Sequence, residues 1–333
     1  MSAIKQIKPL GFPWETQDPF LFCVYHRDLF PEGNDGMGPD PEHLKGRMIG
    51  QDFTIKDGWR MYHGSKVPGF PQHPHRGFET ITVVPEGLVD HSDSMGATGR
   101  FGQGDVQWMT AGKGVLHSEM FPLVNADKDN PLLLFQIWLN LPRRSKFVEP
   151  HYKMLWSEDI PVHTTDGAEV TIVAGDFNET KSLDTTPDSW AADPENGVAV
   201  WLIKIKPEGQ LELPTADAAV NRSIYFYKGE TLIVGDQSLN EQQGADLHAD
   251  QKVVLKNGSE EAHLLLLQGK PIGEPVVQQG PFVMNSQEEI YDTIREYQRT
   301  QFGGWPWPKD EFVHPRDKGR FALHADGREE VKS

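Results

Sequence analysis

The apolar residues of this chain come in short runs. Residues 80–84 read TITVV, 105–109 DVQWM and 132–139 LLLFQIWL. Further along come 169–174 (EVTIVA), 198–205 (VAVWLIKI), 223–227 (SIYFY), 231–234 (TLIV), 252–255 (KVVL) and 263–267 (HLLLL). β-Branched and aromatic side chains are frequent in these runs, as on the pleated surface of a strand. Glycine, proline or aspartate turns separate them. Many short strands at this spacing predict an all-β sandwich or barrel rather than alternating βαβ units. One stretch keeps a helical period instead. Ser286 precedes QEEIYDTIREYQRTQ, and Ser286 with Glu289 has capping-box spacing. Ile290, Ile294 and Tyr297 fall on one stripe of that helix, and Gly303-Gly304 is its expected stop.

The strand pattern occurs twice, separated by the polar, proline-containing stretch 142–150. The expected division is an N-terminal domain over 1–145, a C-terminal domain over 146–303 and a tail, extended or partly disordered, over 304–333. Residues 33–59 are glycine-rich and aperiodic and read as a long loop. A length of 333 residues fits about two domains at roughly 150 residues each. Lysine and arginine number 32 against 49 acidic residues, a formal charge of −17. A surface this acidic repels phosphate backbones and anionic membranes, which argues against direct nucleic-acid or membrane partners. Cys23 is the single cysteine, so neither an internal disulfide nor a cysteine-based zinc site can form. It reads as a buried structural thiol. No run approaches the ~20 apolar residues of a membrane span, and the first residues lack a signal-peptide core. The expected location is therefore the reducing cytoplasm. The N-x-S/T triplets at Asn178, Asn221 and Asn257 then read as chance matches.

Candidate chemistry concentrates in two places. In PGFPQHPHRGFET, His73 and His75 are two residues apart and would share one face of a strand. Pro74 between them has no amide hydrogen, which predicts an edge position. In GDVQWMTAGKGVLHSEM, His117 and Glu119 repeat the same spacing. Two such strands facing inward can close one site of imidazoles and a carboxylate, a donor set suited to Fe, Mn, Co, Ni, Cu or Zn. Glu79 shares the face of His75 if that strand stays regular, so it competes with Glu119 as the carboxylate. His248 and His263 in the second half have no partnered spacing. His63, His91 and His151 read as surface histidines. Gly99-Arg-Phe-Gly-Gln-Gly runs into a predicted strand, not a helix, so it is not a dinucleotide fingerprint.

HPHRGFETIT followed by GDVQWMTAGKGVLHSEM resembles the pirin family of the cupin superfamily. TQDPF, FQIWLNLP, FVEPHYKM and GKPIGEPVVQQGPFVMNSQEEI extend the likeness over about residues 18–301. The resemblance implies a bicupin: two antiparallel β-sandwich or barrel domains, with metal only in the first. It implies His73, His75, His117 and Glu119 as ligands, and iron as Fe2+, with other divalent transition metals as substitutes. Glu79 would then be a supporting residue, paired with Arg76. The implied activity is that of a quercetin 2,3-dioxygenase. It would cleave flavonols with dioxygen, lose carbon monoxide, and use Glu119 as proton acceptor. The family equally implies an alternative, a metal-containing regulatory or interaction protein that assists transcription regulators or binds metabolic enzymes. The stretch 33–66 and the C-terminal tail are longer than the family core requires.

Overall fold

The computed structural model describes residues 2–332. The chain forms two compact units, each assembled from separated stretches: one from residues up to Val24, Ile137–Pro142 and Glu158–Gly273, the other from Tyr25–Gln136, Arg143–Ser157 and Glu274 onward. Both are built from antiparallel strands, and every apolar run named above falls on a strand to within one residue at its start.

In the first unit a seven-stranded sheet runs in the order Ile4–Pro9, Gln243–His248, Asn221–Lys228, Ala262–Gly269, Ala199–Ile205, Ala168–Ala174, Val162–Thr164. A second sheet holds Gln210–Leu213, Val253–Asn257, Thr231–Val234 and Gln237–Asn240. Alternate residues point inward, as a period of two requires. Val170 and Ile172, Ile203 and Ile205, Ile224 and Phe226, and Leu264 and Leu266 are buried in one core. That interior is aliphatic and aromatic.

The second unit carries the chemistry. Its strands are β1 (Phe20–Phe30, from Tyr25 on), β2 (Gly69–His75), β3 (Phe78–Glu86), β4 (Leu88–Asp93), β5 (Thr98–Gly102), β6 (Val106–Thr110), β7 (Val115–Met120), β8 (Asn130–Asn140, as far as Gln136), β9 (His151–Leu155), β10 (Phe321–Leu323) and β11 (Glu329–Val331). They form a sheet ordered β9-β6-β3-β8-β1 and another ordered β11-β10-β5-β4-β7-β2. Phe30, Val84, Leu132, Leu134 and Met154 of the first meet Val89 and Phe101 of the second in a common core. Burying each such side chain contributes about 1.5–3 kcal/mol.

The helix spans Gln287–Thr300. Ser286 Oγ accepts the Glu289 amide at 3.2 Å, while the Glu289 carboxylate takes the Asn285 amide at 2.9 Å. The capping box therefore closes one residue further out than expected. The stop also differs. Gln301 itself adopts the left-handed conformation, φ 49°, and its N–H bonds the Tyr297 carbonyl. The two glycines lie beyond this cap. Ile294 and Tyr297 pack with Ile290 against Phe282 and Met284.

Two segments are more ordered than their sequence indicates. The 33–59 loop is organised around buried Arg47, which donates to Asp52 at 2.9 Å and to the Trp59 and Lys56 carbonyls at 3.0 and 2.7 Å. Its guanidinium lies 3.4 Å from the Trp59 ring centre. The tail contributes β10 and β11. Buried Arg100 anchors it by pairing with Asp90 at 2.6 Å and donating to the Pro315 and Lys318 carbonyls at 3.0 and 2.8 Å.

Candidate metal centre

β2 is the last strand of its sheet, the edge position that Pro74 requires. Its pairing with β7 carries an irregularity: Phe70 lies opposite Glu119, yet His73 lies opposite His117. Three steps on β2 match two on β7. A bulge of this kind re-aims side chains. It places Phe70 on the same face as His73 and His75, opposite Glu119 and His117.

His73, His75 and His117 converge, with one nitrogen from each lying within 4.8 Å of the others. The His73 and His75 Nε2 atoms are 3.2 Å apart. Two nitrogens held about 2.1 Å from one ion at near right angles would be about 3.0 Å apart, so the spacing fits a shared cation. His73 Nδ1 lies 2.9 Å from the Pro71 carbonyl, which can only accept. Nδ1 therefore carries the hydrogen and Nε2 presents its lone pair toward the cluster. His117 is fully buried and neither ring nitrogen has a hydrogen-bond partner. A buried imidazole in that condition costs free energy that a coordinated cation would recover. Burial pushes the His73 pKa down to about 4 and the His75 and His117 values well below normal, with the neighbouring His73 ring adding to the fall of the latter two. All three rings are therefore neutral at pH 7, the form that ligates metal.

Glu119 stands beside this cluster rather than inside it. Its Oε2 is 3.9 Å from His117 Nε2. Thr82 Oγ1 donates to one carboxylate oxygen at 3.0 Å and Gln136 Nε2 to the other at 2.7 Å. Burial raises its pKa, while the His91 charge and these two hydrogen bonds act the other way. Glu79 is elsewhere. The strand breaks at Arg76-Gly77, where Gly77 has φ +87° and a Cβ would sit 2.0 Å from the Val283 carbonyl. Glu79 thus belongs to β3, in the other sheet, and accepts from Thr110 Oγ1 at 2.6 Å. Arg76 does not pair with it as the sequence suggested; it bonds Glu296 at 2.8 Å and the Lys113 carbonyl at 2.5 Å.

His91 lies inside the second unit, fully buried, rather than, as the sequence suggested, on its surface. It lies opposite Glu119 in the β4–β7 pairing, its ring 5.6 Å from that of His117. Asp93 holds its Nε2 at 3.1 Å and Tyr152 stacks on it at 5.0 Å. The His91-x-Asp93 spacing on a strand was the signal available in the sequence. His63 and His151 are exposed as expected. In the first unit, His263 bonds Glu261 at 2.7 Å. Among the described residues no second group of three such side chains comes together.

The family model described as Pirin matches residues 42–139, and the Pirin C-terminal cupin domain matches residues 200–303. Pirin-1 of Arabidopsis thaliana is 39% identical over 246 residues, covering 71% of this chain and 78% of the plant protein. Pirin of Homo sapiens is 35% identical over 249 residues, covering 73% of this chain and 80% of the human protein. A crystal structure of quercetin 2,3-dioxygenase from Acinetobacter baumannii superposes with a TM-score of 0.70 at 27% identity, covering 91% of this chain and 96% of that one.

Proposed function

This chain belongs to the pirin family, and from that premise we propose that it is an iron-dependent dioxygenase that opens flavonols of the quercetin type. The observation that carries the reading is the convergence of three neutral imidazoles, His73 half-buried and His75 and His117 buried, with neither nitrogen of His117 hydrogen-bonded. The likeness to the Acinetobacter quercetin 2,3-dioxygenase supports the substrate class. His73, His75, His117 and Glu119 would hold the ion. Iron(II) there would supply Lewis acidity toward a chelating phenol and electrons for dioxygen.

The chain's own residues would do the rest. The Pro71 carbonyl fixes the tautomer of His73, so its donor nitrogen needs no reorientation on binding. Glu119, with its pKa raised by burial, is suited to accept the proton that a flavonol 3-hydroxyl loses on chelation. Thr82 and Gln136 hold its carboxylate in place for that transfer. Fully buried Phe78, whose ring lies 4.9 Å from His75, excludes water on that side. The overall reaction would convert one flavonol and one dioxygen into one carbon monoxide and one ring-opened phenolic ester that keeps the remaining atoms.

The test is carbon monoxide release from quercetin by iron-loaded protein, compared with His117→Ala. Release that tracks bound iron and is lost in the variant supports the reading. Iron bound normally, with no carbon monoxide formed, would move the protein to the regulatory alternative, for which the charge of −17 suits a basic partner surface.

A further inference from the structure

We infer that the 33–66 segment builds a recognition lip beside the metal centre: Phe53 and His63, continuing through Phe70, hold the outer rings of a flat polycyclic phenol whose chelating oxygens reach the ion. The inference rests on the flavonol reading above and names residues of this chain that would select for ligand size.

The bulge in β2 turns Phe70 onto the ligand-bearing face, opposite Glu119, with its ring 6.3 Å from that of His73. From Phe70 the aromatic surface continues outward. Phe53 lies 6.3 Å from Phe70, and His63 lies 4.9 Å from Phe53 and 5.8 Å from Phe70. Tyr62 backs all of this, with rings 5.7 Å from Phe53 and 5.2 Å from Phe70. Exposure increases along the same path: Tyr62 is buried, Phe70 half-buried, and Phe53 is 40% exposed. A buried aromatic wall that surfaces beside a chelating centre offers edge and face contacts to another ring.

His63 adds polarity at the rim. Its Nδ1 lies 2.7 Å from the Gly50 carbonyl, which can only accept. Nδ1 therefore holds the hydrogen, and exposed Nε2 keeps a lone pair for a phenolic O–H. A small chelator would stop at the ion; only a ligand with further rings would reach Phe53 and His63.

The experiment uses full-length protein loaded with iron(II) under nitrogen, so that binding is read without turnover. Dissociation constants are taken from absorbance titrations with maltol, 3-hydroxyflavone and quercetin. Maltol and 3-hydroxyflavone share the same hydroxy-ketone chelate, but maltol lacks the extra rings. Phe53→Ala should weaken 3-hydroxyflavone about fivefold to tenfold, by the scale of aromatic pair contacts, and leave maltol within twofold. His63→Ala should weaken quercetin more than 3-hydroxyflavone. Phe53→Tyr should restore binding, and Ile233→Ala, an exposed residue of the other unit, should change nothing. Iron content is measured for each variant. Equal 3-hydroxyflavone affinity in wild type and Phe53→Ala, with both probes bound, would overturn the lip and leave the chelation reading standing. Failure of both probes to bind iron-loaded wild type would overturn the flavonol reading and the lip with it.

Discussion

Replacing His26 by asparagine should flatten the acid side of the stability curve. His26 is buried in the second unit, its Nδ1 2.8 Å from the Tyr62 hydroxyl. That hydroxyl donates to Asp28 at 2.5 Å, and Asp28 in turn pairs with Arg60 at 3.1 Å. Burial, reinforced by the Arg60 charge, lowers the His26 pKa to about 3. In the unfolded chain it returns to about 6.5. The folded value is the depressed one, so the unfolded state binds more protons between these limits. The stabilisation is complete above about pH 6.5 and is lost as pH falls toward the folded value. Integrating the linkage gives a loss of about 1 kcal/mol between pH 6.5 and 5.5, and about 2 kcal/mol by pH 4.5. His73 should contribute a similar dependence, and His75 and His117 act in the same direction. Asp28 and Glu119, both raised by burial, act in the opposite direction, so the comparison of wild type with variant isolates the histidine. The assay is urea denaturation of metal-free protein from pH 7 to 4.5. The wild-type and His26→Asn stabilities should converge by about 2 kcal/mol over that range. Parallel curves would refute the reasoning, because a histidine neutral in the fold cannot avoid this linkage.

Glu119→Gln should weaken iron binding by at least ~10-fold in a competitive chelator titration, whereas Glu79→Gln, which leaves the Thr110 contact a partner, should leave it unchanged. Gly77→Ala forces a Cβ against the Val283 carbonyl at a left-handed φ and should cost at least ~1 kcal/mol in thermal denaturation, with less iron retained because the turn sets His75 apart from Glu79. Arg47→Ala strands buried Asp52 and should cost about 3 kcal/mol locally, read as faster proteolytic cleavage within 41–58.

The strands were legible because alternation and β-branched runs report burial on one or two faces directly, as at 170–174 and 264–266. The helix was legible for the same reason, through Ile290, Ile294 and Tyr297. Its stop was not, because glutamine gives no sign that it will adopt a left-handed cap. The pairs His73/His75 and His117/Glu119 were readable from spacing alone. The breakdown at Glu79 was not, since it depends on a Val283 carbonyl more than two hundred residues away pressing on Gly77. Phe70 could not be placed either: without the register shift it would face away from His73. His91 looked like a surface histidine because its burial comes from β7 and Tyr152, neither adjacent in sequence. Order in the tail rests likewise on a long-range contact, that of Arg100 with the Pro315 and Lys318 carbonyls.

The central claim is that one metal held by the His73, His75 and His117 cluster supports flavonol oxygenation. The most direct test measures iron content and quercetin-dependent oxygen uptake on one preparation, titrated from iron-free to fully loaded. The account predicts up to one iron per chain, uptake that rises in proportion to it, and loss of both in His117→Ala. Uptake that persists after complete iron removal, or one iron per chain retained in His117→Ala, would contradict it.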